Sequence, residues 1–206
     1  LWATTDAAGA EPWVSDGTAV GTVMIKDIMP GSESSHGPAV DFSFVGDGAG
    51  TVYFKAAPSG YDRELWKSDG TLAGTVLVKD IYPGSFSSEL TYMTRVNGTL
   101  YFTADDGVSG MELWKSDGTS AGTITVKNIN PSLYVGSGAQ VIGVLGNTLF
   151  LRARSGTTGY ELWKTDGTDA GTVQVKELYP GISNGVANTL AIASTVANGF
   201  LYFQGT

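Results

Sequence analysis

The sequence predicts an all-β fold, a β-propeller of about four four-stranded antiparallel blades, one of them composed from both termini. Three observations carry the prediction. The triplet Asp-Gly-Thr starts at Asp16, Asp69, Asp117 and Asp166, separated by 53, 48 and 49 residues, so units of similar length account for the whole chain. Each unit divides into four short β-rich runs bounded by turn residues. The two ends are partial units: the chain opens with "LWATTDAAGAEPWVSDGT" and closes with "STVANGFLYFQGT". Four strands in units of about 50 residues fit radial blades better than solenoid coils, which are usually shorter.

The unit 86–132 shows the elements in order. "LTYMTRV" is the inner strand, small, apolar and nearly uncharged, like "AVDFSFVG", "AQVIGVLG" and "LAIASTVA" in the other units. Asn97-Gly98 then joins it to "TLYFTAD", because a type I′ hairpin needs positive φ at both central residues. The loop "DGVSG" leads to the third strand, "MELWKSD", which carries the recurring tryptophan (Trp13, Trp66, Trp114 or Trp163). That ring is expected to pack on the adjacent blade and offer its N–H to a partner. In the turn before the fourth strand, "TITVKNI", Asp117 accepts hydrogen bonds from local amides while Gly118 and Gly122 take left-handed conformations. Pro-Gly pairs such as Pro83-Gly84 and Pro180-Gly181 break the ladder and start the crossing to the next sheet.

These boundaries define a single domain over 1–206, with blades at 36–85, 86–132 and 133–182, and a partial blade at 1–35 completed by 183–206. Such a velcro closure removes exposed strand edges. Both "FLYFQGT" and "LWATTD" resemble the second strand, which leaves one strand in excess, and Pro12 is expected to interrupt pairing in the composite blade.

Composition excludes several functions. Net charge is −8, with 12 basic against 20 acidic residues, which opposes binding to a phosphate backbone. The chain has no cysteine, so disulfides and thiolate metal sites are out. No apolar run is long enough for a membrane-spanning helix. Acidity, few lysines and abundant Gly, Thr and Ser point to a secreted or cell-surface protein, and a start at Leu1 to an excised part of a longer product.

At Glu112-Leu113-Trp114-Lys115-Ser116-Asp117-Gly118-Thr119 the chain resembles the bacterial ELWxxDGT repeat family. The copies at Glu64 and Glu161 match in full, and that at Glu11 matches apart from Pro12. The resemblance implies tandem repeats in large exported proteins that form propellers. It implies no established enzymatic activity and supplies no catalytic residues. A weaker likeness to the Asp-box of sialidases fails in order and spacing, since Trp66 precedes Ser68-Asp69-Gly70-Thr71.

Charges present in every copy are expected to serve the scaffold, so a site should lie where copies differ. More than half of the charged residues recur, among them Glu11, Glu64, Glu112 and Glu161. Of the rest, His36 lacks a recognisable triad, and Asp105-Asp106 or Asp62 with Glu64 read as solvated acids before they read as catalysts. Calcium is the cofactor to weigh, with Asp47, Asp105 and Asp106 offering hard oxygens at tight turns but no alternating ligand pattern. Arg152 and Arg154 alternate on one strand and suit an anionic sugar or carboxylate, against a plainer reading as surface charge. Tyr61, Tyr134 and Tyr160, read as loop aromatics, suit sugar stacking. Tyr53-Phe54, Tyr101-Phe102, Leu149-Phe150 and Tyr202-Phe203 read as core. The expected function is a noncatalytic binding or assembly module using loop faces and interblade grooves, with protein or glycan partners. A multivalent lectin and a rigid structural subunit are the alternatives, and a glycosidase-like enzyme ranks last.

Overall fold

The computed structural model describes residues 2–5, 7–35, 44–186 and 194–205. His36 and parts of two inner-strand segments, 39–43 and 190–193, lie outside them. The described residues form strands and turns without a helix, and no helix is long and apolar enough to cross a membrane. The chain divides into two compact units, Leu1–Leu90 with Gly118–Ser120, and Thr91–Asp117 with Ala121–Thr206.

The first unit holds a three-stranded sheet of β1 (Trp2–Thr5), β2 (Gly9–Val14) and β3 (Val23–Met24), in that order. Its second sheet runs β4 (Val45–Gly46), β5 (Val52–Ala56), β6 (Glu64–Ser68), β7 (Val76–Lys79). The second unit repeats that plan twice. One sheet is β8 (Thr91–Val96), β9 (Thr99–Asp105), β10 (Met111–Ser116), β11 (Ile124–Lys127). The other is β12 (Gln140–Leu145), β13 (Thr148–Arg154), β14 (Tyr160–Thr165), β15 (Val173–Lys176). A hairpin of β16 (Ser194–Ala197) and β17 (Phe200–Phe203) ends the chain. All pairings are antiparallel between strands adjacent in sequence, so each four-stranded sheet is the meander the repeat predicts.

Local chemistry accounts for the turns. Asn97 and Gly98 have φ of 49° and 82°, and Asn198 and Gly199 repeat this at 52° and 78°, the double positive φ of a type I′ hairpin. The register slips between Leu and Trp of every intact signature: Leu65/Trp66, Leu113/Trp114 and Leu162/Trp163. A bulge at a fixed place in each copy increases local twist and separates the fourth strand from a flat continuation.

The Asp-Gly-Thr turn is a closed hydrogen-bond circuit. Asp69 Oδ1 accepts from the Thr71 amide and hydroxyl, Thr71 Oγ1 accepts from the Gly74 amide, and the Thr75 hydroxyl donates to the Thr71 carbonyl. The copies at Asp16 and Asp166 make the same bonds. Across the strand ends, Ser68 and Thr75 hydroxyls meet at 2.7 Å, as do Ser15 with Thr22, Ser116 with Thr123 and Thr165 with Thr172. These bonds hold the exposed carboxyls of Asp16, Asp69 and Asp166 below the usual aspartate range. Gly118 has the expected positive φ, but Gly122 does not. At Gly122, as at Gly21, Gly74 and Gly171, a Cβ would collide with the Asp carboxylate five residues earlier. Close approach, not backbone handedness, requires the second glycine.

Lysines of the signature grip a neighbouring turn. Lys67 Nζ donates to the Gly118 carbonyl and Lys115 Nζ to the Gly167 carbonyl, both at 2.8 Å. A Cβ on either glycine would strike the hydroxyl of Tyr53 or Tyr101. Trp66, Trp114 and Trp163 are buried and Trp13 is partly buried, and Lys26 Nζ sits 5.7 Å from the centre of the Trp66 ring while donating to the Thr75 carbonyl. Their N–H groups depart from expectation: Nε1 of Trp13, Trp66 and Trp163 is buried without a hydrogen-bond partner. The indole here contributes its faces and its area.

Pro12 interrupts pairing on one side only: it pairs with Trp2 of β1, but the β2–β3 ladder stops at Trp13 and Met24, short of the Leu–Lys pair of the intact copies, and only the Pro12 carbonyl is used, accepting from the Ile25 amide at 2.9 Å. Two further expectations are corrected. Leu149-Phe150 is off by one residue. Phe150 faces Lys164 and Leu151 faces Trp163, as Tyr101 faces Lys115 and Phe102 faces Trp114. A one-residue shift exchanges sheet faces. Tyr202 is half exposed and does not belong to the core.

Gly171→Ala is expected to lower the free energy of unfolding by about 1–3 kcal/mol through overpacking. Adding Asp166→Ala should make the double variant more stable than the sum of the two losses predicts, as read by urea unfolding. Strict additivity would contradict the steric account.

Candidate functional site

The recurring glutamate of each signature is buried and holds the segment that leaves its sheet. Glu112 accepts from the amides of Ile129, Asn130 and Ser137 and from the Ser137 hydroxyl at 2.6–3.2 Å. Glu161 accepts from the amides of Leu178 and Gly185. Glu11 and Glu64 bind Ile28 with Ser35, and Ile81 with Tyr82 and Ser88, in the same way. These carboxylates are scaffold, in line with the filter drawn from repetition.

Two of the held segments face each other as walls of a cleft of about 260 Å³ in the second unit. One wall brings Asn130, Ser132 and Val135, the other Ile182 and Asn184, and the β13–β14 connection brings Arg154, Ser155, Thr158 and Tyr160. Asn130 Nδ2 ties across its loop to the Gly136 carbonyl at 2.8 Å, and Asn184 Oδ1 accepts from the Tyr160 amide at 3.0 Å. Both walls are therefore fixed by buried carboxylates and side-chain amides before any ligand arrives.

Arg152 and Arg154 do share a face of β13, as alternation predicts, and both guanidinium groups lie over the Tyr160 ring, at 3.9 and 5.6 Å from its centre. Arg152 is 6% exposed, which overturns the reading as surface charge. Burial pulls its guanidinium below the ordinary range, opposed by Tyr160 and Tyr92. Tyr160 is not a loop residue: it opens β14 and pairs with Arg154. Its hydroxyl lies where a Cβ on Gly138 would be, and its ring is engaged by the two guanidinium groups. Arg154 reaches the Val135 carbonyl at 3.5 Å, its Nε is buried without a hydrogen-bond partner, and among the described residues no carboxylate pairs with it. Tyr134, with φ of 61°, is 73% exposed in the loop that supplies Val135. Tyr61 is also exposed but belongs to the first unit.

The carboxylates weighed for calcium serve their own turns. Asp47 Oδ1 accepts from Ala49 and Thr51 amides, Asp105 Oδ1 from Gly107, and Asp106 Oδ1 from Val108 and Ser109. Among the described residues, the acids that converge are Asp62, Glu64 and Asp80, one oxygen from each lying within 4.8 Å of the others. Asp62 beside Glu64 was legible in sequence; Asp80 arrives through the fold. Burial pushes the Glu64 carboxyl up to about 7, with Asp80 adding to the rise and amide bonds opposing it. Burial also raises Glu11, Asp62 and Glu112.

The first unit has a larger, mostly apolar hollow of about 440 Å³ among Trp13, Val14, Phe44, Val52, Asp69 and Gly70. Val14 stands where Lys67, Lys115 and Lys164 recur, and Gly70 has no heavy atom close to its Cβ position, unlike Gly118 and Gly167. The sequence reading missed Asn130 and Asn184 in the Arg154 cleft. Asn130 was detectable, since Met29, Tyr82 and Tyr179 occupy its place in the other copies.

No protein-family model matches the chain, and no curated protein matches it. Solved structures do. TolB from Acinetobacter baumannii is similar at a TM-score of 0.52 and 11% identity over 96% of this chain and 46% of its own. A puromycin hydrolase mutant complexed with PGG is similar at a TM-score of 0.52 and 15% identity over 95% of this chain and 29% of its own. The chain thus spans less than half the length of either. At these identities the likeness concerns fold alone, and it supports a β-propeller-like all-β architecture.

Glu64 yields a pH prediction. Its folded-state pKa lies above the unfolded value, so its contribution to stability is complete below the unfolded pKa of 4.5 and is lost as pH rises through about 7. Glu64→Gln should flatten the fall in melting temperature between about pH 4.5 and about pH 7, a change worth up to roughly 3 kcal/mol in the parent. An equal slope in parent and variant would refute the assignment.

Proposed function

We propose that the chain is a noncatalytic, exported or cell-surface binding module of the ELWxxDGT repeat type, closed as a four-bladed propeller. In this reading residues 1–35 and 183–206 complete one blade. The carrying observation is the division of labour among polar groups. Recurring Glu, Asp and Lys are engaged in holding turns and linkers, whereas Arg154, which does not recur, lines a preformed cleft. Partners are surface glycans or proteins. Because Arg152 stands where other copies carry Thr103 or Lys55, and Arg154 where they carry Asp105 or Ala57, the cleft favours one specific site over a set of equivalent ones. That weighs against the multivalent form of a lectin. The sheet order and the propeller-like neighbours support the architecture.

Mass and small-angle scattering test the closure. A compact monomer is expected. An elongated particle would refute the ring, and a stable dimer would replace it with a ring completed by two copies. A glycan array tests the binding role: retention of an acidic or neutral glycan, weakened by Tyr134→Ala, is expected. Silence on the array, together with large self-contacts in solution, would replace binding by a structural role.

A further inference from the structure

We infer that the Arg154 cleft binds a carboxylated sugar, a uronic acid unit, with the carboxylate on the Arg154 guanidinium and the ring hydroxyls on the surrounding short polar side chains. This rests on the binding reading above and names its ligand class. Arg154 supplies a planar fork of donors that matches a carboxylate in bidentate geometry. Its Nε is buried with no hydrogen-bond partner, and no carboxylate among the described residues neutralises it. Arg154 lines the cleft, so the outer donors of its fork are the groups that an acceptor in the cleft would meet.

The other lining groups select what carries the carboxylate. Ser132, Ser155 and Thr158 are hydroxyls that both donate and accept, and Asn130 and Asn184 add amides. Such a mixture suits a polyol. Ile182 and Val135 supply a small apolar surface for the C–H face of a ring. A volume of about 260 Å³ is smaller than drug-sized pockets and fits one ring unit. A phosphate monoester fits less well, since it carries close to two negative charges, one guanidinium balances one, and the chain carries −8 overall. Tyr160 serves as a positioning residue: it holds both guanidinium groups against its ring and does not stack on sugar.

The wall loops are already ordered. Glu112 fixes Asn130 and Ser137 at the two ends of one, and Glu161 fixes Leu178 and Gly185 at the ends of the other. Binding therefore spends little on ordering, which lets a small polar contact set reach measurable affinity.

Titration of the full chain with glucuronate and galacturonate, followed by calorimetry or ligand-observed NMR, tests the inference. Both uronates are expected to bind. Glucose, which lacks the carboxylate, and acetate, which lacks the ring, should each bind about 10- to 100-fold more weakly. Arg154→Ala should lose binding by a similar factor, and Arg95→Ala, on an exposed hairpin, should keep it. Should Arg154→Ala melt early, Thr158→Val, which keeps the cation and removes a hydroxyl, should still lower uronate affinity several-fold with acetate unaffected. Equal binding of glucose and glucuronate, or undiminished uronate binding by Arg154→Ala, would overturn the inference. Tighter binding of a peptide C-terminal carboxylate than of either uronate would overturn the sugar class. Failure with uronates but success with neutral glycans would overturn the inference and leave the binding module standing, whereas failure with every glycan would overturn the inference and leave that module to protein partners.

Discussion

The structure depends on one buried carboxylate per repeat. A glutamate at the head of the third strand reaches across to amides 17 or 18 and then 24 or 25 residues later. Those amides belong to a Pro- and Gly-containing segment that has left the sheet and lost its ladder partners, so their N–H groups need acceptors. A neutral side chain could satisfy one or two. A carboxylate with two oxygens satisfies three or four and bends the segment back over its own sheet. Burying it is expensive, which the raised pKa values of Glu11, Glu64 and Glu112 express. The donors offset the cost without a counter-cation, and the outcome is a linker with a fixed path.

Fixed linkers explain why the repeats can be both monotonous and specific. The Asp-Gly-Thr circuit and the lysine contacts to Gly118 and Gly167 use side chains whose geometry tolerates no change. Sequence freedom is left to residues between the glutamate-held amides. Asn130 enters there in place of Tyr or Met, and Asn184 enters next to Gly185, whose missing side chain makes room for the Glu161 carboxylate. Variation at such positions changes what a cleft presents without moving its walls.

Much of this was legible because repetition supplies its own alignment. The strand order, the Asn-Gly hairpins and the role of Asp69 followed from turn chemistry acting locally. What escaped depended on pairing across strands or on distances through space. The register of Phe150 and Leu151 is set by which residues oppose Lys164 and Trp163, and a Leu-Phe pair resembles a Tyr-Phe pair closely enough to hide a one-residue slip. Gly122 reads as a left-handed residue until the Asp117 carboxylate is seen against its Cα. Tyr160 has loop-like neighbours in sequence but becomes a strand residue because Arg154 lies opposite it. Pro12 stops the ladder toward β3 and not the one toward β1, a distinction that needs both partners in place.

The same reasoning places the chemistry. At the position of Arg152 the other copies carry Thr103, which is buried, and Lys55, which is half-buried. Here the adjacent tyrosine at the start of the next strand supplies a ring on which the buried Arg152 guanidinium lies. Once Arg152 covers the ring, Arg154 is held at its margin, where the end of β13 meets the cleft. Two substitutions in one copy thus convert a scaffold strand into a positioned cation, and the glutamate-held loops on either side give that cation a surrounding of hydroxyls and amides. Specificity in this chain arises from breaking the repeat at points where the scaffold has already fixed the geometry.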